Sequence, residues 1–243
     1  MLHWREIESS SDPVLPQFAA TYEASFPIEV LVPQQLIVAL IERKLRGELA
    51  LNVYHLGVAF DGDAMVGGAV FNFLHQASIG FIDYIFVNRQ LRGRGIGQFI
   101  YDRLSDTLKR DASGSGRGLL QGILFEIERE DLAAEADDRR ERMRRLRFFL
   151  GRGAGIISGL NYLQPPLHPG KEPLPMHLMF HPIGVPEDQL SDSLVVFWVR
   201  SVYTVIYLHE CGVSKAILTG CLRRVTASTR RGHLVLRRSV EVE

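Results

Sequence analysis

A glycine-rich turn between a strand and a helix constrains this chain more than any other segment. Apart from Asp83, residues 81–87 are apolar, aromatic or β-branched and predict a strand, and the helix-prone residues 98–104 follow it closely. Between them, residues 92–97 read RGRGIG. Glycines allow a sharp turn and a close approach to a ligand, and the N–H groups at a helix start attract anions. The turn therefore predicts a site for a pyrophosphate.

Two nucleotide-binding signatures do not fit this turn. A P-loop requires Lys followed by Ser or Thr after its last glycine, whereas Gly97 is followed by Gln98 and Phe99. A dinucleotide fingerprint requires Gly or Ala three residues after its second glycine, and neither register that starts at Gly93 or Gly95 supplies one. A turn that merely joins a strand to a helix stays open as an alternative.

Composition limits the partners of the chain. Its 243 residues, 46% hydrophobic and 23% charged, are enough for one substantial core with or without a small appendage. The 28 basic and 28 acidic side chains cancel, so we expect neither a nucleic acid nor a membrane as partner. The apolar run 193–208 is broken by Arg200 and is too short to span a bilayer. Two cysteines, Cys211 and Cys221, and an N-terminus without an apolar signal core favour a cytoplasmic location.

The pattern of apolar, Gly and Pro residues predicts a mixture of helices and strands. The predicted helices cover residues 13–26, 33–46, 95–110 and 186–208. The predicted strands cover residues 54–60, 65–74, 79–87, 119–127, 156–163 and 174–180. The strands before and after the third helix should be parallel neighbours, joined through a flexible connection at 113–116. Residues 128–147 predict a solvated loop and a helix with paired surface charges. The body of the fold should end near residue 210. A solvated tail should follow it, with Arg doublets at 223–224, 230–231 and 237–238.

The pattern Arg-Gly-x-Gly-Ile-Gly, placed on this turn and in this order of elements, resembles the GNAT superfamily of acyl-CoA-dependent N-acyltransferases. The resemblance covers most of the chain, including the helix that ends near residue 154. It implies an α+β (mixed α/β) fold with a central, mostly antiparallel twisted sheet, a splayed parallel strand pair, flanking helices and a C-terminal helical extension. We expect a GNAT-like domain at residues 1–183, with a helix and basic tail at 184–243 packed on it or extending it.

The resemblance also implies acetyl-CoA as co-substrate and no metal. The backbone of Ile85 and Val87, with Phe86 between them, should pair with the pantetheine arm. The loop amides should cradle the pyrophosphate, and its two arginines should add charge. The predicted loop residues are Arg92, Gly93, Arg94, Gly95, Ile96, Gly97 and Gln98.

Asp83 is the predicted general base, because it lies four positions before Val87, where some family members carry a glutamate. A base near neutral pH would need burial to raise its pKa, and a carboxylate that only satisfies a neighbouring donor is the alternative. Phe149 stands where the family often has a tyrosine acid, so the thiolate lacks its usual proton donor. Tyr162 is the predicted substitute, ahead of Tyr84, which should alternate away from Asp83. Core packing stays open for both tyrosines.

Glu126 and Glu128, at the end of the fifth predicted strand, are candidate contacts for a cationic acceptor, with solvated glutamates as the alternative. His177 and His181 lie on one face of a strand but about 13 Å apart, which is too far for one metal ion.

The resulting hypothesis is an N-acetyltransferase that moves an acetyl group from acetyl-CoA to a primary amine of a small molecule or peptide by direct attack in a ternary complex. A catalytically silent acyl-CoA-binding module and an interaction protein that keeps only the fold remain alternatives. The identity of the acceptor and a homodimeric assembly are left open by the sequence.

Overall fold

The computed structural model of the chain describes residues 1–116, 118–186, 189–229 and 234–239, and it divides into two compact units, Met1–Leu120 and Gln121–Glu243. The elements of unit 1 are β1 (Leu2–Glu6), α1 (Leu15–Glu23), α2 (Gln34–Leu45), β2 (Asn52–Asp61), β3 (Ala64–Leu74), β4 (Ile79–Val87) and α3 (Ile96–Gly114). Those of unit 2 are β5 (Gly122–Glu128), α4 (Ala136–Leu150), β6 (Gly155–Ser158), β7 (Leu163–Gln164), β8 (Leu174–Pro182), α5 (Asp192–Val202), a π-helix (Tyr203–Glu210), α6 (Lys215–Thr229) and β9 (Val235–Arg237).

Unit 1 is an antiparallel sheet in the order β1-β2-β3-β4 with helices on both faces. Two adjacent glycines of β3 show the layering, since successive residues of a strand point to opposite faces. A Cβ on Gly67 would lie 2.9 Å from Ile100 of α3, and one on Gly68 would lie 2.7 Å from the ring of Phe18 of α1. Helices α1 and α3 therefore cover opposite faces, and the missing side chains let them approach the strand closely.

Unit 2 holds a second antiparallel set, in which β5 pairs with β8, β8 with β6 and β6 with β9, while β7 pairs with β8. The ring of Phe125 packs 4.2 Å from Phe149 of α4, and the ring of Phe180 packs 4.7 Å from Trp198 of α5. Because Phe180 is the cross-strand partner of Leu124, the neighbour of Phe125, these contacts lie on opposite faces. Helices α4 and α5 therefore cover the two faces of this set.

The predicted fold class, mixed α/β with a mostly antiparallel sheet flanked by helices, is confirmed. The charged segment is a helix whose surface carries ion pairs three or four residues apart, as expected, including Arg142 with Asp138 at 2.7 Å and Arg144 with Glu141 at 2.5 Å. In the part of the chain that the structure describes, no helix is both long and apolar enough to cross a membrane.

Four element predictions are corrected. Strand β1 precedes the first helix and was missed, because its charged residues hide the alternation. The connection expected at 113–116 is helical through Gly114, and β5 begins at Gly122 rather than at 119. The segment 156–163 splits into β6 and β7 around Gly159, whose φ of +83° breaks the strand. The body of the fold does not end near residue 210, since α6 and β9 follow.

The Arg doublets have separate positions. Arg223 and Arg224 are exposed on α6, as expected of solvated charges, whereas Arg237 belongs to β9 and pairs with Ile156 of β6. Arg230 and Arg231 lie outside the described residues. The basic segment is therefore partly structured rather than a tail.

Candidate active site

The end of β4 is held in place by its core-facing residue. Phe86 is 4% exposed and meets the ring of Phe18 edge to face at 5.1 Å, while its neighbours Ile85 and Val87 keep part of their surface exposed. In register, Ile85 and Val87 face Ala69 and Gly67 of β3. The strand that carries the two predicted pantetheine contacts is thus fixed by an aromatic anchor between them.

The glycine turn has the backbone that the sequence required. Gly93 and Gly95 have φ values of +82° and +78°, and α3 starts at Ile96, which is 5% exposed. The first helical hydrogen bond runs from Phe99 N to Gly95 O at 3.0 Å, so the N–H groups before it have no acceptor in a preceding turn. No side chain caps this end of the helix.

The space over the turn is open. A Cβ on Gly93 or Gly95 would meet no described atom within 4 Å, so these positions need glycine for their left-handed backbone and not for packing. Arg94 and Gln98 are exposed, and Arg92 and Gly97 are partly exposed. An exposed row of amides with two arginines is suited to binding a pyrophosphate.

Asp83 is the extra residue of a β-bulge. Tyr84 pairs with Val70 and Ile82 with Phe71, so Asp83 has no partner in the β3 register. Its Oδ2 accepts a hydrogen bond from Asn72 Nδ2 at 2.9 Å. Asn72, with no exposed surface, in turn accepts from the amide of Asn52.

This geometry holds the Asp83 carboxylate at the end of a buried amide pair while the residue stays partly exposed. A bulge often re-aims a side chain near a functional site. The arrangement suits a general base that is held in a fixed orientation. It equally suits the alternative, in which the Asp83 carboxylate only satisfies a neighbouring donor, here Asn72.

Glu126 of β5 lies at the centre of a hydrogen-bonded cluster, the Glu126 cluster, formed with Tyr162, Gln164 and Tyr207. The Tyr207 hydroxyl lies 2.8 and 2.7 Å from the two carboxylate oxygens, Gln164 Nε2 donates to Oε2 at 2.7 Å, and Tyr162 donates to Oε1. Burial raises the pKa of Glu126 above its ordinary value, although the three donors act in the opposite direction. Burial and the nearby carboxylate raise the pKa of Tyr162 and of Tyr207 well above the ordinary value.

The other predicted acceptor contact has a different environment. Glu128 forms an ion pair with Arg145 of α4 at 2.8 Å, with only 15% of its side chain exposed. Its charge is therefore already balanced within unit 2, whereas Glu126 has only neutral donors.

Tyr84 and Phe149 are core residues. The Tyr84 hydroxyl donates to Val30 O at 2.7 Å and accepts from Val32 N at 3.1 Å, on the α1 and α2 face. Phe149 packs on Phe125 and on Phe148, whose ring centroid is 5.0 Å away. Tyr84 thus ties the segment after α1 to β4, and Phe149 fills the space under α4.

The sequence analysis did not identify the acidic neighbours of His177. His177 Nε2 lies 2.8 Å from Glu130 Oε2, and among the described residues Glu130, Asp131 and His177 form a group whose ligand atoms lie within 4.8 Å of one another. Arg129 already binds both carboxylate oxygens of Asp131, at 2.9 and 2.5 Å, and lowers its pKa. This pairing leaves the group poorly suited to a cation.

The sequence analysis also missed a buried histidine in unit 1. His55 of β2 is 5% exposed, with Nδ1 at 2.7 Å from Glu6 of β1 and Nε2 at 2.8 Å from Asp111 of α3. Its ring stacks on Phe71 at 4.7 Å, and Lys44 Nζ lies 3.7 Å from Glu6. The cluster lines a cavity of about 490 Å³.

The two carboxylates of this cluster outweigh the desolvation of the ring, and they raise the pKa of His55 above its ordinary value. Burial would raise the pKa of Glu6, but the histidine and the nearby Lys44 and Arg110 lower it overall. The His55 ring therefore joins three elements of unit 1 through hydrogen bonds to two carboxylates.

Gln164 and Tyr207 were likewise missed as members of the Glu126 cluster. Their positions, 38 and 81 residues from Glu126 along the chain, give no local pattern. The only available signal was the i, i+4 pair Tyr203 and Tyr207 in an apolar run, which is typical of a packed face as well.

Comparison with known proteins finds a family model that matches part of the chain and solved structures with a similar fold. Residues 17–120 match the family model described as "Acetyltransferase (GNAT) family". The solved structure of a GNAT-family protein from Bacteroides thetaiotaomicron is similar in fold, with a TM-score of 0.61 and 21% identity over 84% of this chain and 98% of the other. No protein with a curated description matches the chain by sequence.

Two further solved structures align with lower scores. Ard1 from Thermoplasma volcanium has a TM-score of 0.49 and 15% identity over 75% of this chain and 97% of its own. The PaiA N-acetyltransferase from Thermoplasma acidophilum, in complex with coenzyme A, has a TM-score of 0.47 and 11% identity over 75% of this chain and 99% of its own.

Residues 17–120, which contain β4, the glycine turn and α3, thus match the GNAT acetyltransferase model, and the resemblance read from the turn is confirmed. The family uses an acyl-CoA as its co-substrate.

Proposed function

We propose that this protein is an N-acetyltransferase that transfers the acetyl group of acetyl-CoA to a primary amine by direct attack. The observation that carries the proposal is the turn at 92–98, where two left-handed glycines expose uncapped helix amides beside two arginines. The family match of this segment supports an acyl-CoA rather than another pyrophosphate. In this proposal the turn holds the pyrophosphate, and the backbone of Ile85 and Val87 holds the pantetheine arm.

The proposed chemistry needs one proton acceptor and one donor. Asp83, directly or through a water molecule, takes a proton from the amine, whose nitrogen attacks the thioester carbonyl, and backbone N–H groups near Val87 stabilise the oxyanion. The C–S bond then breaks, and the thiolate takes a proton from Tyr162 or from water. Because the Tyr162 hydroxyl donates to Glu126 and has a raised pKa, transfer from Tyr162 requires that this hydrogen bond be given up.

The proposed acceptor is a small-molecule or peptide amine, with Glu126 and Glu128 at its binding site. Glu126 is the better supported of the two, because Glu128 is already paired with Arg145. We also propose residues 1–183 as the functional domain with 184–243 as its extension, supported by the pairing of Leu236 in β9 with Ile157 in β6. In the part of the chain that the structure describes, Cys211 and Cys221 form no disulfide, which supports a reducing compartment such as the cytoplasm.

A second candidate function is an acyl-CoA-binding module without turnover, which Phe149 favours because a phenyl ring has no proton to give. Calorimetry with acetyl-CoA, combined with thiol release measured over a panel of amines, separates the two. The transferase predicts binding and acetyl-CoA-dependent thiol release with at least one amine, and the module predicts binding alone. An interaction protein that keeps only the fold predicts neither.

A glycine pair tests the site itself. Gly95→Val should abolish acetyl-CoA binding, since the side chain would project into the open space over the turn. Gly62→Val is the matched control, because Gly62 also has a positive φ, +58°, and open space around its Cβ, but lies in the β2–β3 hairpin. Equal acetyl-CoA affinity of the two variants would overturn the site.

A further inference from the structure

We propose that unit 1 binds a free aliphatic α-amino acid in the cavity at the C-terminal end of α3, where Arg110 binds its carboxylate and Asp111 and Glu8 bind its ammonium group. This is the cavity that the His55 cluster lines, and its volume of about 490 Å³ is in the range of small-molecule sites. Residues of β1, α2, β2 and α3 form its walls. The proposal goes beyond the proposed function, because it concerns a second site.

The cavity is distant from the glycine turn. Arg110 follows Ile96, the first residue of α3, by 14 positions. At about 1.5 Å per residue, the two residues are about 21 Å apart along the helix axis. A ligand in the cavity therefore lies away from the segment proposed to hold acetyl-CoA, and its binding does not require acetyl transfer.

Charges of both signs line the cavity. The carboxylates belong to Glu6, Glu8 and Asp111, and the cationic side chains are Lys44 and Arg110. The three carboxylates oppose a ligand that is only anionic, and the two cations oppose a ligand that is only cationic. A zwitterion, which carries both signs, is complementary to this lining.

The acidic residues keep acceptor positions for a ligand. His55 bonds to one oxygen of each of two carboxylates, Glu6 Oε2 at 2.7 Å and Asp111 Oδ2 at 2.8 Å. Within the described part of the chain, Asp111 Oδ1 has no hydrogen bond, and the exposed Glu8 has no ion pair. An ionised carboxylate has about four acceptor positions. The His55 ring therefore holds Asp111 in one orientation and leaves its second oxygen for an ammonium N–H.

Arg110 has donors for a carboxylate. Its Nη2 donates to Thr107 Oγ1 at 2.8 Å, and Thr107 is only 3% exposed, so this bond anchors the guanidinium on α3. Among the described residues Arg110 has no ion-pair partner. The other N–H groups of the guanidinium are therefore available to bind a carboxylate through two hydrogen bonds.

The end of α3 matches an α-amino acid. Arg110 and Asp111 are consecutive, so opposite charges lie side by side at the cavity wall, as the carboxylate and the ammonium group do on one carbon of the ligand. The last residue of α3, Gly114, also lines the cavity, and a helix C-terminus favours a positive charge. Val53, partly exposed there, provides an apolar contact for an aliphatic side chain.

The test uses the full-length protein without acetyl-CoA and L-leucine as the probe. Isothermal calorimetry should detect binding of L-leucine. N-acetyl-L-leucine, which has no ammonium group, and L-leucinamide, which has no carboxylate, should both bind far more weakly. These three measurements need no variant, so they test the proposal even where a substitution disturbs folding.

A pair of variants locates the ligand. Arg110→Gln should weaken L-leucine binding by about ten- to a hundredfold, the value of losing a charge-assisted hydrogen bond. Lys109→Gln is the matched control and should leave the affinity unchanged, because Lys109 is the exposed neighbour on α3, pairs with Asp106 at 3.6 Å and does not line the cavity. Both variants should keep the acetyl-CoA affinity of the unmodified protein.

The proposal is overturned if L-leucine does not bind, if it binds no better than either analogue, or if Arg110→Gln binds it as well as Lys109→Gln does. In the last case L-leucine occupies another site, such as the acceptor site of the proposed function. If Arg110→Gln weakens L-leucine binding as expected and no amine is acetylated, only the proposed function fails.

Discussion

At the scale of single residues, the bulge at Asp83 shows how a strand can present a carboxylate without breaking its core. The extra residue leaves Tyr84 and Phe86 on the side that packs against α1, while Asp83 is aimed at Asn72. The buried amide pair Asn52 and Asn72 then fixes its orientation. A base that is held in this way loses little rotamer freedom when the substrate binds.

Asp83→Asn should therefore reduce acetyl-CoA-dependent thiol release about 10²- to 10⁴-fold, the usual contribution of a general base, without changing acetyl-CoA affinity. Asp63→Asn, an exposed aspartate in the β2–β3 turn, is the matched control and should keep full activity. Thiol release and calorimetry on the same samples separate turnover from binding. Unchanged turnover in Asp83→Asn would leave the carboxylate with a structural role.

His55 gives the stability of unit 1 a defined pH dependence. Because the pKa of the folded-state imidazole is raised, its contribution is complete below the ordinary histidine range and is lost as the pH rises through the raised pKa. Glu6 has a lowered pKa, so its contribution is present above the ordinary glutamate range and is lost on acidification through the lowered pKa. The cluster is most stable between these two ranges.

His55→Gln should lower the free energy of unfolding by about 2–3 kcal/mol at mildly acidic pH, since hydrogen bonds to two charged partners are lost. The difference from the unmodified protein should shrink as the pH rises above the raised pKa. Urea unfolding across a pH series measures it, with His3→Gln as the control, because His3 is exposed and its ring stacks on Phe60. A difference that stays constant with pH would show that the imidazole is neutral in the folded protein.

At the scale of elements, α6 and β9 show why the C-terminal segment was misjudged. The buried residues of α6 are Leu218, Cys221, Val225 and Thr229. They are spaced on one face, but Gly220 and the Arg pair at 223–224 weaken the local pattern. Strand β9 has three residues, and its pairing with β6 is a contact between segments about 80 positions apart. Both elements depend on tertiary burial more than on propensity.

Val225→Ala should destabilise unit 2 by about 1–3 kcal/mol, because Val225 has no exposed surface and its lost methyl groups leave a cavity. Arg223→Ala on the exposed face of the same helix should change the free energy of unfolding by no more than about 0.5 kcal/mol. Denaturant unfolding measures both. Equal stabilities would mean that α6 does not contribute to the folded core.

At the scale of the whole molecule, the proposed binding of acetyl-CoA at the turn 92–98 should couple ligand binding to stability. A ligand that binds only the folded state stabilises it by about 2.7 kcal/mol at a hundred times its Kd. Because Gly93 and Gly95 leave the turn open without making packing contacts, the turn itself adds little to stability in the free protein. The gain should therefore appear only with the ligand.

Acetyl-CoA at about a hundred times its Kd should raise the Tm by about 5–10 °C for a chain of this size. Gly95→Val should show no such rise, whereas Gly62→Val should show it in full. Differential scanning calorimetry with and without acetyl-CoA gives the shifts, and the free variants correct for the strain of a β-branched residue at positive φ. A rise of equal size in Gly95→Val would place the ligand elsewhere.

The sequence predicted the structural features that depend on residues close together in the chain. The sharp glycine turn, the β2–β3 hairpin, the helix α3 and the strand β4 all depend on residues within a few positions, and each was predicted. The GNAT resemblance followed from the same segment and is confirmed by the family match. The bulge at Asp83 was not foreseen, because one inserted residue leaves the composition of a strand unchanged.

What the sequence by itself determined is the class of the protein and the position of its glycine turn, because glycine at a left-handed position and a helix start are local properties of the backbone. Only the tertiary structure decided which carboxylates have a basic partner and which have only neutral hydrogen-bond donors. Glu128 meets Arg145, His55 lies between Glu6 and Asp111, and Glu126 gathers neutral donors from distant segments. These environments arise when elements far apart in the chain are packed together, and burial there sets the charge and the chemistry of each side chain.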